Sequence, residues 1–431
     1  MQIALIVLLA LGALAPLFML VQGGAGFVGF VGVCAAAVVA NIALAMRDTE
    51  ITQCVRLFRP VACGAVVPLI WMLVQVLPVP KALAHPVWAS AEAALGDPVW
   101  GRISIDIGVT FVAFAQGLSI LALLFGFMAL SIDRLRAEQI LWGLTGSTGF
   151  AAVLLFGFGA LRVAGIADAP SDGLAALSVL GTVLAFAAAI RAIERYETRS
   201  TRVEDAYIHF LRALALAAIA AVLCWLALIA FAPMSLLVAA GVGSFLLVLL
   251  IVARRVGLGE WATMAIAGAV ALLVVCIVAV KGSSDIPFVV RYAAHRSEAS
   301  TQIVQRMLSD IGFAGSGAGT FANLAPIYRG LDDPEGMTSP PTAAAALAIE
   351  FGQVFLWIVL AAAVGVTAWL LLGAMRRGRD SFYAAAAAGC IAALTFEAFC
   401  DAALLQPGVA FVAVGVVGLG LAQRLSRSER V

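Results

Sequence analysis

Charge is what this chain has least of. Asp, Glu, Lys and Arg make up 12% of its 431 residues, and 63% are hydrophobic. Soluble domains carry roughly 25% charged residues, so an ordinary soluble fold is excluded. The mean hydropathy is +1.07. With a net charge of +1, no global field draws nucleic acid or an acidic partner. Lysine is nearly absent: Lys81 and Lys281 stand against 24 arginines. The seven cysteines form no CxxC pair, which argues against a thiolate zinc site or a disulfide framework and leaves them as small core residues. The three histidines (85, 209, 295) fall in unrelated segments. No metal site and no other cofactor is expected. Residues 2–22 are apolar but lack a basic start and a small-residue cleavage site, so they read as a first span that stays. Neither an internal repeat nor a separate soluble domain is visible.

What is abundant is hydrocarbon in runs. A helical span needs roughly 20 apolar residues. The chain supplies about twelve, at roughly 2–22, 26–46, 61–79, 108–132, 139–161, 173–191, 211–231, 234–253, 261–280, 343–374, 381–405 and 408–423. The fold class is therefore all-α: a polytopic transmembrane helix bundle, one integral membrane domain over residues 1–431. Its largest polar interruption, residues 281–343, forms one long loop between the ninth and tenth spans.

The basic residues orient this map through the positive-inside rule. With a cytoplasmic N-terminus, 18 Lys and Arg face the cytoplasm and 8 face out. Both termini are then cytoplasmic, and the long loop faces outward. A second outer segment, 80–107, holds Pro80, Pro86 and Pro98 as breakers and Trp88 and Trp100 as interface anchors. Inside the long loop, Ser297 to Asp310 reads as a short helix. Ile303, Val304, Met307 and Leu308 share one face, which predicts a helix lying on the membrane surface.

Connections between bundled helices need only a few residues, so a loop this long is where function is expected. Gly315, Gly317 and Gly319 alternate ahead of Thr320 and Phe321. Such a run lets backbone approach a ligand and can turn amides toward an anion; it also serves as a tight turn. Arg291 and Arg296 could hold a diphosphate in forked geometry, or anchor at lipid headgroups. His295, beside Arg296, could titrate as a base, or be a plain interfacial side chain. Asp332, Asp333 and Glu335 read as a solvated turn.

Three acids sit inside or at the ends of apolar spans: Glu350, Glu397 and Asp401. A carboxylate in a bilayer is costly and faces a cavity or a partner. The topology puts all three near the depth of the long loop. Glu397 and Asp401, four residues apart, share a helix face. One acid could act as a general base; structural clamping of loop to bundle is the plainer role.

In this order, Arg296, Asp310, Gly315 to Phe321, Tyr328, Glu350 with Gly352, then Asp401, Leu405 and Pro407 resemble the O-antigen ligase and polymerase superfamily of integral-membrane glycosyltransferases. Trp88, Gly101, Ser104-Ile105-Asp106 and Thr110 are similar to that family's first outer loop. The chain would be a divergent member. Ligases of the family carry a His-Asn pair about nine residues before the Glu matching Glu350; here Pro341-Thr342 stands there. The family's Ser-Arg of a middle span is matched only by Ser235-Leu236.

The resemblance implies a metal-free transferase at the outer face of a bacterial inner membrane. Its donor would be an oligosaccharide on polyprenyl diphosphate and its acceptor a glycan hydroxyl, in O-antigen, lipopolysaccharide or exopolysaccharide biosynthesis. Polysaccharide assembly proteins would be partners beside the lipid bilayer. Arg296, Glu397, Asp401, Glu350 and His295 would be catalytic, and Arg291, Gly315, Gly317, Gly319, Thr320 and Tyr328 would bind substrate. Two other readings stay open: a transporter or flippase of lipid-linked sugars, and a non-catalytic scaffold of an export complex.

Overall fold

The computed structural model describes residues 1–19, 25–46, 48–163, 171–199, 204–281, 298–328, 339–376 and 380–425. The apolar runs fold as helices because, in hydrocarbon, each backbone N–H and C=O must find its partner within the segment. The first half holds α1 (Gln2–Leu14), α2 (Ala25–Ala45), α3 (Asp48–Val76), α4 (Pro86–Leu95), α5 (Ile107–Leu130), α6 (Arg134–Val163) and α7 (Ser171–Arg199). Then come α8 (Glu204–Phe231), α9 (Met234–Val256), α10 (Glu260–Lys281), α11 (Glu298–Asp310), α12 (Phe321–Leu324), α13 (Ala343–Phe351), α14 (Gln353–Arg376), α15 (Ser381–Glu397) and α16 (Pro407–Leu425). The protein is an all-α, multi-pass membrane bundle.

Among the described residues, nine helices are long and apolar enough to cross a bilayer, while Gln2–Leu14 and Ser381–Glu397 are apolar but shorter. The sequence reading of about twelve spans is thus met only in part. Two of its segments, 2–22 and 381–405, fold as helices of 13 and 17 residues. A third, 343–374, is not one helix. It breaks at Gly352 into α13 and α14.

The centre of the bundle is α7, packed on α6, α8, α9 and α15. α15 reads Tyr383-Ala-Ala-Ala-Ala-Ala-Gly389, and its small side chains let α9 come close. A Cβ on Gly243 of α9 would lie 2.8 Å from the Gly389 carbonyl oxygen, and one on Gly389 would lie 2.6 Å from that of Gly243. Small residues at a crossing give helices without a hydrophobic driving force the dispersion contacts that hold them together.

The two ends of the bundle differ in chemistry. One end carries an arginine belt: Arg134–Asp380 (2.7 Å), Arg191–Glu138 (3.1 Å), Arg195 on the same Glu138, and Arg376–Glu260 (3.0 Å). At the other end α3 and α15 finish, and α5, α7 and α16 begin. This loop end also holds α4, α11, α12 and α13. The apolar face of α11 is covered by protein rather than lipid. Ile303, Val304, Met307 and Leu308 are buried with Ala344, Ala345, Ala348 and Ile349 of α13 and with Leu356 of α14. That corrects the reading of a helix lying on the membrane surface: the amphipathic pattern marks a covered face without naming its cover.

Candidate functional site at the loop end

The break at Gly352 explains the local structure. A helix that stops leaves its last carbonyls without intrahelical donors. Here the glycine turn supplies donors from outside. The Ser316 amide donates to the Ile349 carbonyl (2.9 Å) and the Gly317 amide to that of Glu350 (3.1 Å). Gln75 of α3, fully buried, donates from Nε2 to the carbonyls of Glu350 (2.8 Å) and Ala314 (3.3 Å), and its Oε1 accepts from the Ala318 amide (3.1 Å). The turn therefore acts as a C-cap delivered in trans. Only glycine allows it: Gly315 has φ +79°, and a Cβ there would fall 2.3 Å from the Glu350 carbonyl oxygen.

The Glu350 side chain completes the arrangement. Its Oε2 accepts from the Gly319 amide (2.8 Å) and its Oε1 from the Phe321 amide (3.4 Å). The anion that the glycine turn binds is thus the protein's own carboxylate. The amides of residues 316 to 321 are all taken within the protein, so the closed turn offers no free amide to an outside anion. Burial pushes Glu350 from its ordinary 4.5 up to about 7, against the pull of the Gly319 and Phe321 amides.

The segment before α5 closes the other side of the turn. The Ile105 amide donates to the Ser316 carbonyl (3.0 Å), and Thr110 Oγ1 to that of Ala318 (3.2 Å). Asp106 caps α5 at Val109 (3.1 Å) and accepts from Asn323 Nδ2 (2.9 Å). Thr320, buried, donates its hydroxyl to the Gly317 carbonyl (2.6 Å). Burial first, then the nearby Asp310, pushes the Tyr328 hydroxyl up.

Glu397 and Asp401 lie elsewhere on the same end. The Asp401 carbonyl accepts from the Ala343 amide (2.8 Å), at the start of α13, and Asp401 Oδ1 accepts from the Ala403 amide (2.9 Å). Glu350 is seven residues further along α13, roughly 10 Å away at the helical rise. The structure therefore brings Glu397 and Asp401 together and sets Glu350 at the far end of a helical strut. Asp172, in the first turn of α7, is the second acid, after Asp401, whose charge acts on Glu397. No group of three His, Cys, Asp or Glu among the described residues could hold a metal ion. Arg291, His295 and Arg296 lie outside the described residues.

Glu397 is fully buried, and neither carboxyl oxygen has a hydrogen-bond partner among the described residues. A buried polar group without a partner costs about 1–3 kcal/mol. Glu397→Leu is therefore expected to raise stability by about that amount. Chemical denaturation of the purified chain in detergent checks it; a destabilised variant would mean that Glu397 has a structural partner.

Gln75, Asn323 and the Ser104–Thr110 pair were not singled out individually as site residues in the sequence. The available signal for Gln75 was a lone carboxamide in the run Val74-Gln75-Val76 of an apolar span, which in hydrocarbon calls for a partner. No model of a known protein family matches the chain, and no curated protein matches it in sequence.

Proposed function

We propose that the protein is a membrane glycosyltransferase of the O-antigen ligase and polymerase type, working at the outer face of a bacterial inner membrane on oligosaccharides carried by polyprenyl diphosphate. An acceptor hydroxyl attacks the anomeric carbon of the donor. The new glycosidic C–O bond forms as the bond to the diphosphate breaks, and the diphosphate leaves with the electron pair. The hydroxyl proton passes to the Glu350 carboxylate. A base poised near the working pH suits this step. Arg291 and Arg296 would steady the departing charge.

One observation carries this reading. Part of the set that the family resemblance strings along the chain is in contact: Gly315 to Phe321 seats on Glu350 and Gly352, and Ser104 to Thr110 closes over it. A transporter of lipid-linked sugars is the second reading. The helix broken at Gly352 and the buried Glu397, whose carboxyl has no hydrogen-bond partner among the described residues, favour it, because discontinuous helices and membrane acids mark transport paths.

Deletion of the gene separates the two. Loss of long surface glycans, with single repeats accumulating on carrier lipid in the outer leaflet, supports transfer. Accumulation in the inner leaflet supports transport. Full-length chains stranded on their carrier mark a ligase rather than a polymerase. Unchanged glycans would remove both readings.

A further inference from the structure

Every half-buried arginine among the described residues has a partner, with one exception. Arg136 meets Asp133, Arg191 and Arg195 meet Glu138, Arg254 meets Ser381, and Arg424 lies over the Trp369 ring at 3.4 Å. All of these are at the arginine belt. Arg102 is at the loop end. Its Nε is buried without a hydrogen-bond partner among the described residues, and its guanidinium forms no ion pair with them. None of the acids of its own segment pairs with it. Glu92 is held by Lys81 (2.8 Å), Asp106 by Val109 and Asn323, and Asp97 is exposed.

The backbone around Arg102 is fixed. Pro78 and Arg102 form an antiparallel bridge, the Val79 amide donates to the Gly101 carbonyl (2.9 Å), and the Arg102 carbonyl accepts from the His85 amide (2.8 Å). Two residues on, Ser104 donates its amide to the Gln75 carbonyl (2.9 Å), and a Cβ on Gly317 would lie 2.5 Å from Ser104 Oγ. Arg102 is thus anchored to the same scaffold as the glycine turn. The span of α3 ends at Val76 and that of α5 begins at Ile107. Between them Trp100 is 78% exposed, as an aromatic anchor at headgroup depth would be. A guanidinium held at that depth, with its two Nη groups accessible and without partners among the described residues, matches a forked pair of phosphate oxygens.

We propose that Arg102 is a binding residue for the phosphate group of a membrane-borne lipid. Which lipid carries the phosphate rests on the transfer reading above: a carrier-lipid diphosphate if the protein is a transferase, an ordinary phospholipid headgroup otherwise.

The test uses the full chain in phosphatidylcholine nanodiscs, with binding read by intrinsic tryptophan fluorescence. The probes are geranylgeranyl diphosphate, dioleoyl phosphatidate and the uncharged geranylgeraniol. Arg102→Gln is expected to weaken binding of a phosphate-bearing probe at least tenfold and to leave geranylgeraniol unchanged. Arg102→Lys is expected to retain part of the affinity, and it replaces the Gln variant if the latter does not fold. Loss confined to phosphatidate, with no binding of the diphosphate by the unmodified chain, supports the phosphate site and counts against the transferase. Loss of diphosphate affinity supports both. Diphosphate affinity that is normal in the Gln and Lys variants overturns the Arg102 site and leaves the transferase standing. An unmodified chain that binds neither phosphate probe overturns the site as well.

Discussion

Gly352→Ala is expected to disrupt the loop end outright. Gly352 has φ +97° and ψ 152°, a region that is essentially glycine-only. A Cβ there would fall 1.9 Å from the Phe313 carbonyl oxygen and 2.8 Å from its carbon. Both contacts are with backbone, so no side chain can swing aside. Relief requires the turn to lift from α13. That would strip the Ile349 carbonyl of its donors and leave the Glu350 carbonyl to Gln75 alone, and each buried group left unpaired costs about 1–3 kcal/mol. Adding the backbone strain, of order 1–3 kcal/mol, the loss should be at least about 2 kcal/mol. Gly312→Ala is the control, because a Cβ there meets nothing within 4 Å. Denaturant titration of the two variants in detergent should separate them by that amount. Equal stabilities would mean that the turn does not sit in the helix break.

The same joint shows what the sequence could and could not reveal. Helices were legible wherever apolar runs were long, because the bilayer leaves the backbone no other choice. The break at Gly352 was not legible. Glu350, Gly352 and Gln353 interrupt the run from Ala343, and such a group does not by itself stop a helix. The break exists because residues 313–317 arrive from more than thirty positions away to cap the freed carbonyls, and no local pattern encodes that arrival. α11 was legible as a helix with one covered side. The identity of the cover, α13 rather than lipid, was set by tertiary packing. The acids were legible as unusual, and their depth followed from the topology. Their division into two places, Glu350 at one end of α13 and Glu397 with Asp401 at the other, depended on the break itself.

If the protein is the proposed transferase, Glu350→Gln is expected to abolish transfer while keeping the turn in place. The amide is the same size as the carboxyl group, and its oxygen can still accept from the Gly319 amide. If Glu350 takes the acceptor's proton, the loss should be about 10²–10⁴-fold in rate. The pH dependence then separates base from clamp. As a base, Glu350 must be ionised, so activity should rise with pH through about 7. Stability runs the opposite way. The folded carboxyl is raised above its ordinary 4.5, so the folded state binds the proton more tightly than the unfolded one. That contribution is full below about 4.5 and is lost as pH climbs through about 7. The shift corresponds to at most about 3 kcal/mol, less for a side chain that keeps some contact with water. The chain should thus gain activity and lose stability across one pH interval, and the Gln variant should show neither slope. A pH-independent rate in the unmodified protein, or a Gln variant at full activity, would return Glu350 to a structural role and move the search for the base to Glu397 and Asp401.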